Sequence, residues 1–267
     1  MEIIGYIASV LIGISLGMIG SGGSILTVPV LVYLMHVNPL LATTSSLFIV
    51  GTTSFAGGIM AYAKKQVDFK AITEFGIPSI FSIFITRHYI LPALPAHLFT
   101  IGNLQVSKDM FLMIFFAILM FAASFSMILN KEVESEKLKT EKHEHNKALQ
   151  LVLAGLAIGV ITGLLGAGGG FLIIPTLVIL LKLNMKKAVG TSLLIIAINS
   201  LFGFLFSLRQ FEFNWTLLFS FSILAIAGIF IGSKLADKIP GDSLKKGFGW
   251  FVLLMSIYII VKEIFLQ

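Results

Sequence analysis

Gly13-Ile14-Ser15-Leu16-Gly17-Met18-Ile19-Gly20-Ser21-Gly22-Gly23-Ser24 is matched, 146 residues further on, by Gly159-Val160-Ile161-Thr162-Gly163-Leu164-Leu165-Gly166-Ala167-Gly168-Gly169-Gly170. The register continues without a gap through Pro29 over Pro175, Asn38 over Asn184, Ala42 over Ala188, Ser45-Ser46 over Thr191-Ser192 and Gly57 over Gly203. Across 13–47, 14 of 35 positions are identical. Two unrelated apolar helices share leucines easily, but they do not align glycines and prolines in series. A duplicated half of this kind is a mark of secondary transporter folds.

Composition places both halves in lipid. The chain has 267 residues, 57% hydrophobic and 12% charged, with a mean hydropathy of +0.99. A soluble domain carries about twice that share of charge. Twenty-four Phe and 25 Gly fit lipid-facing helices packed closely through small residues. Without cysteine, disulfide scaffolds, thiolate metal sites and Cys nucleophiles are excluded. The net charge of +6 is explained by basic cytoplasmic loops, and no basic helix with interleaved aromatics points to nucleic acid.

Apolar stretches fall near 3–20, 24–36, 40–63, 71–94, 110–129, 149–167, 170–183, 188–208, 215–236 and 247–266. A bilayer core about 30 Å thick needs about 20 apolar residues per crossing. Eight stretches approach that length, while 24–36 and 170–183 are too short and read as half-spanning. Only Glu2 precedes the first stretch and a sister copy lies inside the chain, so it reads as structure and not as a signal peptide.

The fold expected is therefore an all-α integral membrane protein with two inverted-topology repeats of about five segments each. Residues 1–130 form the first repeat, 131–147 a charged cytoplasmic linker and 148–267 the second. An odd number of crossings per half forces the inversion. Loop charge agrees: 15 of the 19 Lys and Arg fall in 64–70, 130–148, 182–187 and 234–246. That side is cytoplasmic by the positive-inside rule, which leaves both termini on the outer side. The remaining four, Arg87, Lys108, Arg209 and Lys262, are assigned to the outer side, with no Lys or Arg deep in the long apolar runs.

In each half a long helix runs into a glycine cluster and a short helix with proline starts at once. Irregular backbone at membrane depth is tolerated only where protein buries it or it lines a cavity. Glycine lets a ligand approach the main chain, and the first amides of the short helix present N–H groups and the positive end of the helix dipole. Two such elbows meeting near the bilayer midplane would hold an anion without a buried Lys or Arg. The candidate substrate-binding residues are Ser21, Gly22, Gly23 and Ser24 in the first elbow and Gly168, Gly169 and Gly170 in the second. Hydroxyls and an amide on the following helices join them: Thr44, Ser45 and Ser46 in one half, Thr191, Ser192 and Asn199 in the other. Glu74 and Arg87 are candidates for coupling or gating. The partners implied are a small anion and the lipid bilayer, with a homo-oligomer left open. No cofactor, metal or catalytic residue is expected.

The run G-x-x-x-G-x-x-G-x-G-G-G-x-x-x-x-P-x-L, here Gly159 through Leu177, followed by Ala188-Val189-Gly190-Thr191-Ser192, resembles the TauE/SafE sulfite exporter family, also called 4-toluene sulfonate uptake permeases. The resemblance covers nearly the whole chain. It implies transport, export in the first place, of small sulfur oxyanions or organosulfonates such as sulfite or thiosulfate across the bacterial inner membrane. Two departures stand out. Ser24 replaces the usual third glycine beside an added Ser21, and Thr86-Arg87-His88-Tyr89-Ile90-Leu91-Pro92-Ala93-Leu94-Pro95 replaces a Gly-rich helix end.

Other chemistries fit less well. Gly20-Ser21-Gly22 resembles an intramembrane serine nucleophile, yet no partner histidine lies on a neighbouring helix. Lys142-His143-Glu144-His145 belongs to an alternating Lys/Glu run that reads as a solvated loop. No ATP-binding motif occurs. From the residues alone a passive anion channel of the same architecture and a non-transporting membrane scaffold both remain open.

Overall fold

The computed structural model describes residues 2–20, 23–95, 97–101, 104–129, 144–236 and 241–265. The expected linker falls largely outside them, as do Ser21 and Gly22. Within these residues ten helical rods follow the ten apolar stretches: α1 (Glu2–Ile19), α2 (Ser24–Leu34), α3 (Pro39–Ala63), α4 (Phe69–Ala93), α5 (Lys108–Leu129), α6 (Glu144–Leu165), α7 (Gly170–Leu181), α8 (Met185–Ser207), α9 (Trp215–Leu235) and α10 (Gly241–Phe265). Among the described residues six helices are long and apolar enough to cross a bilayer, while α1, α2 and α7 are shorter. The chain is a multi-pass membrane protein. Its outer surface is apolar, with Ile77, Ile179 and Ile223 65–70% exposed, while Ser and Thr side chains crowd the interior.

The stretch 87–109, which holds Arg87 and Lys108 of the expected outer side, is not an open loop. Helix α4 runs through it to Ala93, and an antiparallel hairpin of β1 (His97–Ile101) and β2 (Leu104–Ser107) follows. Lys108 donates its ammonium to the carbonyls of Leu91 and Leu94, tying the end of α4 to the start of α5.

Helix ends are set by local chemistry. The side-chain oxygen of Asn38 accepts from Leu40 N at 3.0 Å, and that of Asn184 accepts from Lys187 N at 2.9 Å, capping α3 and α8. Backbone features recur at the same 146-residue offset. Gly20 and Gly166 take positive φ (+80° and +68°), and so do His36 and Lys182 (55° and 52°) where α2 and α7 end.

Contacts between the halves come in reciprocal pairs. Gly20 packs on Val189 and Gly166 on Thr43. A Cβ on Gly57 would lie 3.2 Å from Leu193, and one on Gly203 3.1 Å from Leu47. Gly13 abuts the Ala225 carbonyl and Gly159 the Ser79 carbonyl. Each pair becomes the other when both members shift by 146, the pattern in which residue i meets j and j meets i across a two-fold.

The helices interlock accordingly. Helix α1 packs along α9 and α6 along α4, while α3 packs along α8 and α5 along α10. The α1–α9 seam is close because Gly13 and Gly17 face Gly228 and Gly232, the latter two against the Val10 and Ile14 carbonyls. Gly155, Gly159 and Gly163 serve the α6–α4 seam in the same way, against Phe75, Ser79 and Thr86. These motif glycines are packing elements. Gly232→Val is expected to cost more than about 3 kcal/mol, because its Cβ would press on the Ile14 backbone, read as a lower unfolding midpoint in mild detergent. Gly247→Val meets nothing within 4 Å and is expected to leave that midpoint unchanged.

Candidate functional site

Helix α6 stops at Leu165 because Gly166, Gly168 and Gly169 take φ of +68°, +67° and +69°, a region L side chains rarely occupy. Helix α7 starts at Gly170 with Gly169 as its cap. The resulting elbow sits in the crossing of α3 and α8. A Cβ on Gly168 would be 2.9 Å from Val50 and from Ile196 and 3.1 Å from the Ser200 hydroxyl. Val50 is the twelfth residue of the 25 in α3, and Ile196 the twelfth of the 23 in α8. The turn therefore touches both long helices at half their length. Gly169 faces the Thr162 hydroxyl. The Thr162 and Ser200 hydroxyls are buried without a hydrogen-bond partner, a condition worth about 1–3 kcal/mol per group to relieve. Together with the leading amides of α7 they gather hydrogen-bond donors at the elbow.

The first elbow is built differently. Gly23 keeps right-handed dihedrals (φ −65°, ψ −28°) and presses on the Ile12 carbonyl and Leu16. Ser24 follows, fully buried in the first turn of α2. Ser21 and Gly22, proposed from the sequence as ligands, lie outside the described residues, so this elbow is defined only at its two flanks.

Spacing by four puts Ser46, Val50 and Ser54 on one face of α3, and Ser192, Ile196 and Ser200 on one face of α8. Ser46 and Ser54 are buried with unpartnered hydroxyls, whereas Ser192 donates to the Val189 carbonyl at 2.8 Å. Ser45 is also buried. Asn199 accepts a 2.9 Å hydrogen bond from Ser79 on α4 and keeps an amide nitrogen without a partner. Thr191 is used elsewhere: its hydroxyl accepts from Asp68 N at 2.9 Å, fastening the α3–α4 connection to α8. Glu74 is partly exposed and pairs with Lys70 at 3.7 Å, a turn away along its own helix, so it faces the edge of α4 and not the α3–α8 crossing.

Arg87 is the main correction to the sequence reading. It was assigned to the outer loops, but it lies within α4, in a π-type turn over Thr86–Ile90, and is fully buried. The wider turn, a feature often found at functional sites, directs the side chain inward to α3. There its Nη1 donates to the Thr44 hydroxyl at 2.8 Å.

Thr162, Ser200, Ser54 and Ser79 were not among the expected residues. Ser54 and Ser200 stand in repeat register 146 apart, three residues before Gly57 and Gly203, so the alignment already contains that signal. Thr162 sits inside the glycine motif itself. Among the described residues no group of three or more His, Asp or Glu could hold a metal ion.

A family profile described as "Sulfite exporter TauE/SafE" matches residues 6–259. Among curated relatives, a "Probable membrane transporter protein" of Xylella fastidiosa is 28% identical over 94% of this chain and 91% of its own length. "Probable membrane transporter protein YdhB" of Bacillus subtilis is 26% identical over 88% of this chain and 90% of its own. "Probable membrane transporter protein YunE" of the same organism is 24% identical over 96% and 95%. No solved structure matches the chain.

Proposed function

The chain belongs to the sulfite exporter TauE/SafE family, and from that premise we propose that it is a secondary permease for small sulfur-containing anions, working as an exporter. The observation that carries this reading is the second elbow. Left-handed glycines at Gly168 and Gly169 stand halfway along α3 and α8, lined by the unpartnered hydroxyls of Thr162 and Ser200 at the start of α7. An oxyanion accepts several hydrogen bonds at once, and these neutral donors would satisfy it in a site shielded from water.

The reading takes residues 1–130 and 148–267 as inverted repeats joined by a cytoplasmic linker, with both termini outside and the basic loops in the cytoplasm of a bacterium. The reciprocal contacts between the halves support it, because they are what a two-fold axis in the membrane plane would produce. Alternating access would then move groups of helices drawn from both halves, since α1 is seamed to α9 and α6 to α4. The second group of ligands comprises Gly22, Gly23 and Ser24 with Ser45, Ser46, Ser192 and Asn199 around the crossing.

Counterflow in proteoliposomes tests the proposal. Vesicles preloaded with unlabelled sulfite are expected to accumulate labelled sulfite transiently. Flux without stimulation by the internal pool would identify a passive channel. The purified protein is also expected to gain thermal stability from at least one of sulfite, thiosulfate, sulfate, taurine and sulfoacetate. No flux together with no thermal shift would leave a scaffold.

A further inference from the structure

We infer that the guanidinium of Arg87 receives the transported anion, and that its unpartnered edge selects guests presenting two oxygens in one plane, such as sulfite or a sulfonate, over spherical anions such as chloride. This rests on the permease reading above and adds the charge and the shape filter that reading lacks.

Arg87 is 0% exposed, and of its three guanidinium nitrogens only Nη1 is engaged, with the Thr44 hydroxyl at 2.8 Å. Nε and Nη2 are buried and have no partner. Those two nitrogens share one edge of the planar group, and their N–H bonds run parallel. This is the fork that grips a carboxylate, sulfonate or phosphate through two oxygens at once. The engaged corner fixes the direction of the free edge. Thr44 donates its own hydroxyl back to the Leu40 carbonyl at 3.3 Å, and Gln210 holds the backbone carbonyl of Arg87 through its side-chain amide at 3.3 Å. Among the described residues no ion pair involves Arg87.

A snorkelling anchor would send its charged head toward water. Arg87 does the reverse and turns its head inward to α3. A cation held in an apolar segment without a carboxylate is costly and marks a functional position. A visiting anion supplies the missing charge.

The placement fits a receiving station for the elbow site. Thr86, beside Arg87, faces Gly163 on α6, and Thr43, beside Thr44, carries Gly166 on its carbonyl. Thr44 and Val50 are six residues apart on α3, about 9 Å along the helix and about 120° around it, so Arg87 stands less than two helical turns from the level of Gly168.

The test uses the purified full chain with sulfite, methanesulfonate and sodium chloride at equal ionic strength. The wild-type protein is expected to show a raised thermal midpoint with the first two and none with chloride. Arg87→Gln is expected to abolish both shifts and raise KM for sulfite flux at least tenfold, while its ligand-free midpoint stays level with the wild type or rises, because an uncompensated charge is gone. Arg87→Lys, which keeps the charge without the fork, is expected to retain flux and lose the discrimination against chloride. Wild-type KM in Arg87→Gln, or unchanged anion selectivity in Arg87→Lys, would overturn the inference while flux in the wild type keeps the permease reading standing. A lower ligand-free midpoint in Arg87→Gln with oxyanion shifts intact would make Arg87 a structural tie to Thr44 and overturn it equally. Absence of flux in the wild type itself would remove the permease reading.

Discussion

Gly168→Val is expected to reduce anion flux by about 100-fold or more, equivalent to about 2.7 kcal/mol, while the protein still extracts as a single folded species. The φ of +67° at this position disfavours any side chain, and a β-branched one most. The strain is of order 1–3 kcal/mol. The atoms that a Cβ would meet are the branch methyls of Val50 and Ile196 and the Ser200 hydroxyl, at 2.9–3.1 Å, so the crowding is with side chains and not with main chain. The fold can therefore absorb the change, but the space beside the α7 amides is then filled by isopropyl. Proteoliposome flux set beside the gel-filtration profile checks both halves of the statement. Near-normal flux would make the elbow a packing device only.

Gly166→Ala, a smaller change two residues earlier, is expected to do more damage to folding. Its added Cβ would land on the Thr43 backbone carbonyl, with the α-carbon of Thr43 2.7 Å away, and φ is again positive at +68°. No rotamer relieves a clash with main chain, so α3 and the elbow would have to separate. A loss of more than about 3 kcal/mol is expected from overpacking and αL strain together, seen as little folded protein after extraction. The counterpart Gly20→Ala is expected to be milder, because Val189 meets it with a side chain. Gly23→Val belongs with the severe cases, since the Ile12 carbonyl and Leu16 amide stand in the way despite a relaxed φ of −65°. Measuring folded yield for the four variants ranks them directly.

Helix number and position were legible in the sequence because the helices follow the apolar runs, and many of them are bounded by a glycine, an asparagine cap or a charged loop. Asn38 and Asn184 are examples, each opening a helix of more than 20 residues. The second elbow was legible because Gly166, Gly168 and Gly169 sit at positive φ, where L side chains are rare. Two things were not. The hairpin at His97–Ser107 carries a weak two-residue alternation, easily lost between two strongly hydrophobic helices. The direction of Arg87 depends on a single widened turn in α4, and hydropathy cannot distinguish an arginine turned to the interface from one turned to Thr44. The single hydroxyls divided in the same way. Ser192 bonds its own preceding turn, Thr191 holds the Asp68 amide, and Ser46 and Ser200 keep free hydroxyls, yet all four look alike as letters in an apolar run.

The pairing of α1 with α9 sets a problem of timing during biosynthesis. The glycine face around Gly13 has its mate at Gly228, more than 200 residues later in the chain. At ~5–20 residues per second, the first helix leaves the ribosome on the order of 10–40 s before that mate exists. Through that interval the newborn helix must wait in lipid or in the insertion machinery without its tightest neighbour. A chain arrested before α9 would leave the groove open to capture by the equivalent groove of another unfinished copy.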